Sequence, residues 1–281
     1  MPLYVVAVLF SALIDIAFHL ERVTLKGVIA HLFMLQNFTP KYVLGLNGPL
    51  WTMPVDFEFY FALPIAATLA FDACGRIDRR ARPRIFVGIL LATAIVSFAY
   101  RLAVQHVAHE FSMTITYFIL MSNVFGMAIV FCCGIALAYV SERRGMRPLG
   151  STVAVISIAV AVVFFIAAMQ TTVVPLALDT ILAAFSVTAL LVALPTFGLV
   201  RRLARSRGVG IAASLAYAIY LFHLPVLRVV STRLGTPTGN VAFVEVTVIS
   251  AIALFPIVYI AHRFVERPFL AIKDRKREAR I

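Results

Sequence analysis

Long apolar runs separated by short polar segments extend along the whole chain. A helix needs about 20 mainly apolar residues to cross a bilayer. The pattern predicts eight such spans, at residues 3–20, 55–71, 84–105, 114–140, 152–169, 175–197, 209–231 and 242–263. The apolar run at 27–35 is too short to cross and is predicted to lie at the membrane interface. The predicted fold class is therefore all-α, an integral-membrane bundle of about eight transmembrane helices, forming one domain over residues 1–281.

Composition supports a membrane protein and narrows the chemistry. The chain is 62% hydrophobic and 14% charged, with a mean hydropathy of +0.97, which is far above that of soluble domains. It contains no Gly-rich phosphate loop, zinc signature or Gly-x-Ser-x-Gly elbow. The cysteines Cys74, Cys132 and Cys133 have no metal-ligand spacing and receive no role. We therefore predict no metal site and no resident cofactor.

The net charge of +12 follows the predicted topology. Most of the 25 basic residues fall in the loops 72–84, 141–150 and 200–208 and in the tail 263–281. Because Lys and Arg in short loops stay on the cytoplasmic side, both ends of this multi-pass chain are predicted to be cytoplasmic, in the plasma (inner) membrane. We therefore expect the basic loops to contact the anionic lipids of the bilayer, and we expect no binding of nucleic acid. A cytoplasmic polyanionic ligand is the alternative that stays open.

The stretch NGPLWTMPVDFEFYFALP at 47–64 places the single tryptophan, Trp51, and two carboxylates at the start of a span. Pro54 suits a first helical turn. Asp56 and Glu58 point about 200° apart on a helix, so they do not form a facing acid pair. One side is instead shared by Asp56, Phe59, Tyr60 and Leu63. The alternative is structural: acids in a first turn offset the helix dipole, and Trp51 is then an interfacial anchor.

A second polar cluster lies in the span that carries SLAYAIYLFHLPVL, residues 214–227. Tyr217, Tyr220 and His223 recur every three residues and form one stripe. Pro225 has no backbone N–H, so it cannot donate a hydrogen bond to the carbonyl of Leu221. Membrane helices tolerate an unpaired carbonyl only where another group donates to it. The pattern predicts a polar pocket in the outer half of the membrane. The alternative for His223 is a hydrogen-bonded packing residue.

The stretch HRFVERPF at 262–269 is predicted to close the last span. Glu266 is expected to pair with Arg263 or Arg267, and Pro268 is expected to end the helix. Other polar residues within or near the spans are interpreted as single packing or cavity-lining groups without a catalytic role. These are Asp15, His19, Arg101, Asn123, Asp179 and Glu245.

Taken in order, LWTMPVDFEFYFALP, AYAIYLFHLPV and FVERPF resemble the membrane acyltransferase-3 family, which includes bacterial polysaccharide and O-antigen O-acetyltransferases. The residues that agree with the family pattern are Trp51, Val55, Phe59, Tyr60, Pro64, Tyr217, Tyr220, Leu221, His223, Pro225, Glu266 and Pro268. Thr52 stands for Ser, Asp56 for Glu, Glu58 for Gln, and Ala216 for Ser.

The resemblance implies transfer of an acyl group, usually acetyl, from cytoplasmic acyl-CoA to a sugar hydroxyl on the far side of the membrane. Acyl-CoA is then a co-substrate, and a glycan acceptor is the second partner. By resemblance, the catalytic residues are expected to be His223, Asp56, Glu58 and Tyr60. Trp51, Tyr217, Tyr220 and Glu266 are expected to bind substrate.

The family's bundle has about ten spans. Its first span carries a basic residue and the histidine assigned to catalysis, an Arg-x-x-Arg element follows the second span, and neither feature is found at the corresponding place in this sequence. The start MPLYVVAVLF is similar to the family's third span, so we expect the chain to be N-terminally incomplete, with His223 and the region of Asp56 orienting the site. Two alternatives stay open. One is a family remnant that has lost catalysis and serves in binding or assembly, and the other is a multispan transporter of lipid-linked or small hydrophobic substrates.

Overall fold

The protein is described by a computed structural model that covers residues 2–75, 81–108, 114–144, 150–169, 176–235 and 239–278. These residues form α-helices and no strand, which confirms the all-α prediction. The helices are α1 Pro2–Phe18, α2 Leu25–Leu32, α3 Thr52–Gly75, α4 Arg82–Ala108, α5 Ile115–Met121, α6 Val124–Arg144, α7 Ser151–Met169, α8 Leu176–Ala193, α9 Gly198–Ala204, α10 Arg207–Leu234, α11 Asn240–Ala261 and α12 Arg267–Glu278.

Three 3₁₀ turns and one π-helical turn connect or extend these helices. The 3₁₀ turns are Gln36–Phe38, Gly48–Trp51 and Leu194–Thr196, and the π turn is His262–Glu266. The chain divides into two compact units. Unit 1 comprises Met1–Pro54 and Arg207–Ile281, and unit 2 comprises Val55–Ser206.

Six helices among the described residues are long and apolar enough to cross a membrane. They are Arg82–Val107, Val124–Glu142, Ser151–Met169, Leu178–Thr196, Arg207–Leu234 and Asn240–Ile272. The first helix, α1, is apolar but has only 17 residues. The helix α3, which contains the predicted span 55–71, is not among the six. The prediction of helical spans is thus supported, whereas their number, eight, is not confirmed.

The predicted single span 114–140 is wrong in its continuity, because two helices, α5 and α6, replace it. The break falls at Ser122 and Asn123, where the Asn123 side chain accepts a hydrogen bond from Gly126 N at 3.0 Å and so starts α6. A Cβ at position 126 would lie 2.3 Å from the Met121 carbonyl oxygen, so only glycine permits this close approach. Asparagine and glycine therefore interrupt a run that hydropathy alone presents as continuous.

The core of unit 1 forms where α1 packs against α10. One face of α1 buries Leu3, Tyr4 and Val8, while Leu13 on the other face is 62% exposed. Phe222 of α10 is buried against α1 and meets Phe10 edge to face, with ring centroids 5.2 Å apart. This packing holds the polar stripe of α10 beside the segment that follows α2.

Unit 2 uses small residues to bring its helices close together. Ala154, Ala161 and Ala168 are buried on α7 at seven-residue intervals, and α8 packs on this helix. Ser186 of α8 donates a hydrogen bond to the Ala161 carbonyl at 2.8 Å. Small residues and hydroxyl hydrogen bonds are the usual means by which helices associate in a bilayer.

The end of α11 differs from the sequence-based expectation. The chain passes through the π turn His262–Glu266 and continues as α12, so Pro268 does not end the helical path. Pro268 is the second residue of α12, where a missing N–H costs little. The wider π turn shifts the phase of the helix and lets the proline fit a first turn.

Candidate functional site

Tyr220 joins two of the three motif stretches within unit 1. Its hydroxyl lies 2.5 Å from the Pro49 carbonyl oxygen and 2.6 Å from Thr52 Oγ1. Since a carbonyl only accepts, the tyrosine donates to Pro49 and the threonine hydroxyl donates to the tyrosine. The segment that carries Trp51 is thereby fixed to α10.

Two amides hold the same segment from the other side. Gln36 Nε2 donates to the Leu50 carbonyl at 3.1 Å, and Asn37 Nδ2 donates to the Trp51 carbonyl at 2.8 Å. Both amide side chains are buried. With Tyr220 on Pro49, three consecutive carbonyls of the 3₁₀ turn each have a side-chain partner. The backbone around Trp51 is therefore held in one orientation, which suits a substrate-contacting residue.

Asn47 supplies the group that the proline in α10 requires. Its side-chain Nδ2 donates to the Leu221 carbonyl at 2.9 Å and to Ser11 Oγ at 3.1 Å. Leu221 is four residues before Pro225, so its carbonyl has no helical N–H donor. The expectation that another group satisfies this carbonyl is confirmed. Because Asn47 is 1% exposed, this hydrogen bond is shielded from solvent.

His223 is half-buried, one turn along α10 from Tyr220. Its Nδ1 lies 2.7 Å from the Tyr220 carbonyl oxygen, and the two rings are 6.0 Å apart. The carbonyl can only accept, so Nδ1 carries the proton and Nε2 of the neutral ring has a lone pair. Among the described residues no group hydrogen-bonds Nε2. The imidazole thus offers an acceptor at a defined position.

The third motif stretch is also in unit 1. Glu266 Oε2 lies 2.9 Å from His262 Nδ1, and neither residue is more than about one-sixth exposed. The expected pairing of Glu266 with Arg263 or Arg267 is therefore wrong. In the π turn, residues four apart align, whereas residues three apart point away from each other. Tyr217 is partly buried against the core of unit 1.

Asp56, Glu58 and Tyr60 belong to unit 2. Glu58 Oε2 accepts a hydrogen bond from Val124 N at 2.9 Å, at the first residue of α6. A carboxylate at a helix N-terminus is stabilised by the free N–H groups and the helix dipole. Asp56 is half-buried and has no hydrogen-bond partner among the described residues, and Tyr60 is 70% exposed. The catalytic roles expected for these three residues stay predictions.

Two pairs correct the interpretation of the polar residues as single groups. Arg101, 1% exposed, lies 3.1 Å from Asp179 Oδ1 in unit 2 and also donates to the Gly126 carbonyl. In unit 1, Arg228 Nη1 lies 3.5 Å from Asp15 Oδ1 and also donates to the Leu46 carbonyl at 3.2 Å. Each pair joins residues far apart in sequence. Buried charges need such partners in a membrane protein.

Asn123 is also not single, since its Nδ2 donates to Tyr100 Oη at 3.0 Å. Within the described part of the chain, no three His, Cys, Asp or Glu side chains come together as a metal site would require. The arrangement in unit 1 therefore offers hydrogen-bond acceptors and an aromatic side chain, the equipment for binding and orienting a hydroxylated substrate.

His31 is a further buried histidine that the sequence patterns did not single out. It lies on α2, is 1% exposed, and donates from Nδ1 to the Gly27 carbonyl at 2.8 Å. Burial lowers the pKa of its imidazole, because the charged form loses hydration, and the carbonyls of Gly27 and Gly45 partly oppose this effect. A neutral imidazole therefore persists to lower pH than usual.

Sequence reasoning missed the residues that position the site. Gln36, Asn37 and Asn47 are buried amides that received no role, and Arg228 was not singled out within its span. One signal was available for Asn47: a proline inside a span implies a nearby side-chain donor. An arginine within an apolar run similarly implies an acidic partner.

The three comparisons with known proteins bear on this arrangement. The model of an acyltransferase domain, acyltransferase-3, matches residues 1–263 of the chain. Neither the curated proteins nor the solved structures gave a match. The family match contains the first two motif stretches and ends at Arg263, before Glu266 and Pro268 of the third. The hydrogen bonds among Thr52, Pro49 and Tyr220 show the first two stretches in contact. The chain belongs to the acyltransferase-3 family of membrane acyltransferases.

Proposed function

We propose that the protein is an O-acyltransferase that moves an acyl group, acetyl in the simplest case, from cytoplasmic acyl-CoA to a sugar hydroxyl of an exported or cell-surface glycan. The observation that carries the proposal is the hydrogen bond of 2.6 Å between Thr52 and Tyr220, which joins two family motif stretches in unit 1. Trp51 and His223 flank the two bonded residues in sequence. They form the acceptor side of the site.

The reaction joins the sugar oxygen to the acyl carbon. The hydroxyl oxygen attacks the thioester carbonyl, the new C–O bond forms as the C–S bond breaks, and the hydroxyl proton ends on the released CoA thiol. Such an attack requires an acceptor for that proton and a fixed hydroxyl position. His223 fixes the position of the hydroxyl, because the Tyr220 carbonyl holds its Nδ1 proton and Nε2 can accept a hydrogen bond from that hydroxyl.

The distribution of basic residues supports binding of the two substrates from opposite sides of the membrane. In the plasma (inner) membrane, the distribution of basic residues predicts that the arginine-rich loops are cytoplasmic and that the loop 21–54 is on the outer side. Arg201, Arg202 and Arg205 are exposed, as binding of polyanionic CoA requires. The glycan then meets Trp51 and His223 from the opposite side.

The test measures release of CoA thiol from acetyl-CoA by the 281-residue chain in proteoliposomes, with soluble oligosaccharides as acceptors and mass spectrometry of the products. We expect acceptor-dependent thiol release with a matching acetyl ester. His223→Gln should lower the rate by about a hundredfold, whereas His106→Gln on α4 should leave it unchanged. A folded wild-type protein that releases no thiol with any hydroxylated acceptor would contradict the proposal.

A further inference from the structure

A pocket separate from the His223 site opens in unit 1 between the end of α1, the helix α2 and the turn that follows it. Its cavity volume is about 110 Å³. Its polar lining includes Asp15, Glu21, His31 and Lys41, and its less polar lining includes Tyr42 and Leu46. None of these residues carries the family motifs, so the pocket is a feature that the proposed reaction does not yet use.

Charge within the pocket is largely balanced by the protein itself. Arg228 contacts Glu21 through Nη2 and lies 3.5 Å from Asp15 Oδ1 through Nη1. Both carboxylates are therefore engaged by one guanidinium, and Arg22 and Lys41 add positive charge at the pocket. A metal cation would need several free carboxylate oxygens, which this arrangement does not offer. An anion would face Asp15 and Glu21.

Two buried acceptors in the pocket lining have no partner among the described residues, Asp15 Oδ2 and, with the proton on Nδ1, His31 Nε2. Asp15 is 2% exposed, and no group among the described residues donates to its Oδ2. Buried acceptors are almost always hydrogen-bonded, so this atom calls for a donor from outside the protein. A hydroxyl is a neutral donor that also accepts. The requirement is therefore for an uncharged, hydroxyl-bearing ligand that also covers the Tyr42 ring and the Leu46 side chain.

We propose that this pocket binds one neutral sugar unit of the glycan acceptor, with Asp15 Oδ2 accepting a hydrogen bond from a sugar hydroxyl and Tyr42 contacting its C–H surface. The inference rests on the proposed function for the identity of the ligand as a glycan. It adds a specificity subsite away from the reacting hydroxyl.

The position of the pocket fits an extended acceptor. Arg228 follows His223 by five residues on α10, about 7.5 Å along the helix axis and about 140° around it. Leu46, in the pocket wall, directly precedes Asn47, whose amide reaches Leu221 of the same helix. In this proposal, a glycan of more than one sugar contacts the subsite with one unit and presents a hydroxyl to His223 with another.

The test is binding without an acyl donor. The 281-residue chain in lipid nanodiscs is mixed with methyl glucopyranoside, methyl mannopyranoside or N-acetylglucosamine, and saturation-transfer NMR reports bound sugar. Choline and acetate are the charged probes. At least one neutral sugar should bind, and Asp15→Asn and Tyr42→Leu should each weaken its affinity about tenfold, the loss of one hydrogen bond or contact. Glu245→Gln, an exposed acid on α11, should bind normally.

Circular dichroism checks that each variant is folded, and Tyr42→Leu keeps the test decisive if Asp15→Asn does not fold. The proposal is overturned if no neutral sugar binds, if both pocket variants bind as well as the wild type, or if choline or acetate competes for the site. The binding test contains no acyl-CoA, so its outcome is independent of the thiol-release test. Thiol release without sugar binding at this pocket would contradict the subsite and leave the proposed function intact. Sugar binding at the pocket without thiol release would support the subsite and contradict the proposed function.

Discussion

The side-chain amide of Asn47 donates to the carbonyl of Leu221, the carbonyl that Pro225 deprives of its helical donor. Asn47→Leu keeps the branched shape of the side chain and removes this donor. We expect the free energy of unfolding to fall by about 1–3 kcal/mol, the cost of a buried polar group left unpaired. Unfolding in mixed detergent micelles, followed by circular dichroism, measures the change.

A double-mutant cycle isolates this mechanism. Pro225→Ala returns an N–H that can donate to the Leu221 carbonyl, so Asn47→Leu should cost less in that background by about 1 kcal/mol. Equal costs of Asn47→Leu in the two backgrounds would show that Asn47 stabilises the fold in another way, for example through Ser11 alone.

Tyr220→Phe tests whether the hydroxyl orients the Trp51 segment. The variant keeps the ring and loses the hydrogen bonds to Pro49 and Thr52. We expect about 1 kcal/mol of lost stability and a decrease of roughly 10–100-fold in acyl transfer, because a small displacement of a positioned group costs far more in rate than in stability.

The control for Tyr220→Phe is Tyr259→Phe, at an α11 position that is 53% exposed. It should change neither stability nor transfer. If Tyr220→Phe transfers acyl groups at the wild-type rate, its hydroxyl has only a structural role.

The pair of Arg101 and Asp179 in unit 2 predicts an asymmetric pattern of stability. Asp179→Asn leaves a guanidinium that is 1% exposed without its counter-charge and should cost about 3 kcal/mol. Adding Arg101→Met removes that charge, so the double variant should be more stable than Asp179→Asn alone. Thermal unfolding measures this order, and Glu245→Gln should stay within about 0.5 kcal/mol of the wild type.

His31 predicts a specific dependence of stability on pH. Its pKa in the folded protein is lowered from 6.5 by burial, so the unfolded chain binds a proton first as the pH falls. The contribution of this group to stability is therefore complete above about pH 6.5 and is lost as the pH decreases from there through the lowered pKa.

Unfolding of the wild type and of His31→Asn across this pH range tests the assignment. The difference in unfolding free energy between the two proteins should shrink steadily below pH 6.5. A constant difference across the range would mean that the imidazole does not titrate differently in the folded and unfolded chain.

The helices were predictable because apolar run length is a local property, and the bounds of α4, α7 and α10 lie within a few residues of the predicted spans. The break between α5 and α6 was not, since it depends on the side chain of Asn123 and on the space that Gly126 leaves. Hydropathy does not record either effect.

The candidate site was predictable in kind and only partly in detail. A donor for the Leu221 carbonyl followed from Pro225, but its identity as Asn47, 174 residues away, depends on tertiary packing. The partner of Glu266 was missed because only the neighbouring arginines were considered, although His262, four residues earlier, lies on the same helix face. Charged pairs such as Arg101 with Asp179 likewise join separate helices, and no local pattern links them.

The carboxylate of Glu58 accepts a single backbone N–H at the start of α6, and an amide oxygen could accept the same bond without the additional attraction between a negative charge and the helix dipole. Relatives that exchange glutamate and glutamine here would keep the hydrogen bond between α3 and α6 while changing the local charge by one unit. A substitution at this one residue can therefore change how strongly the protein attracts a charged substrate while the packing of its helices stays the same.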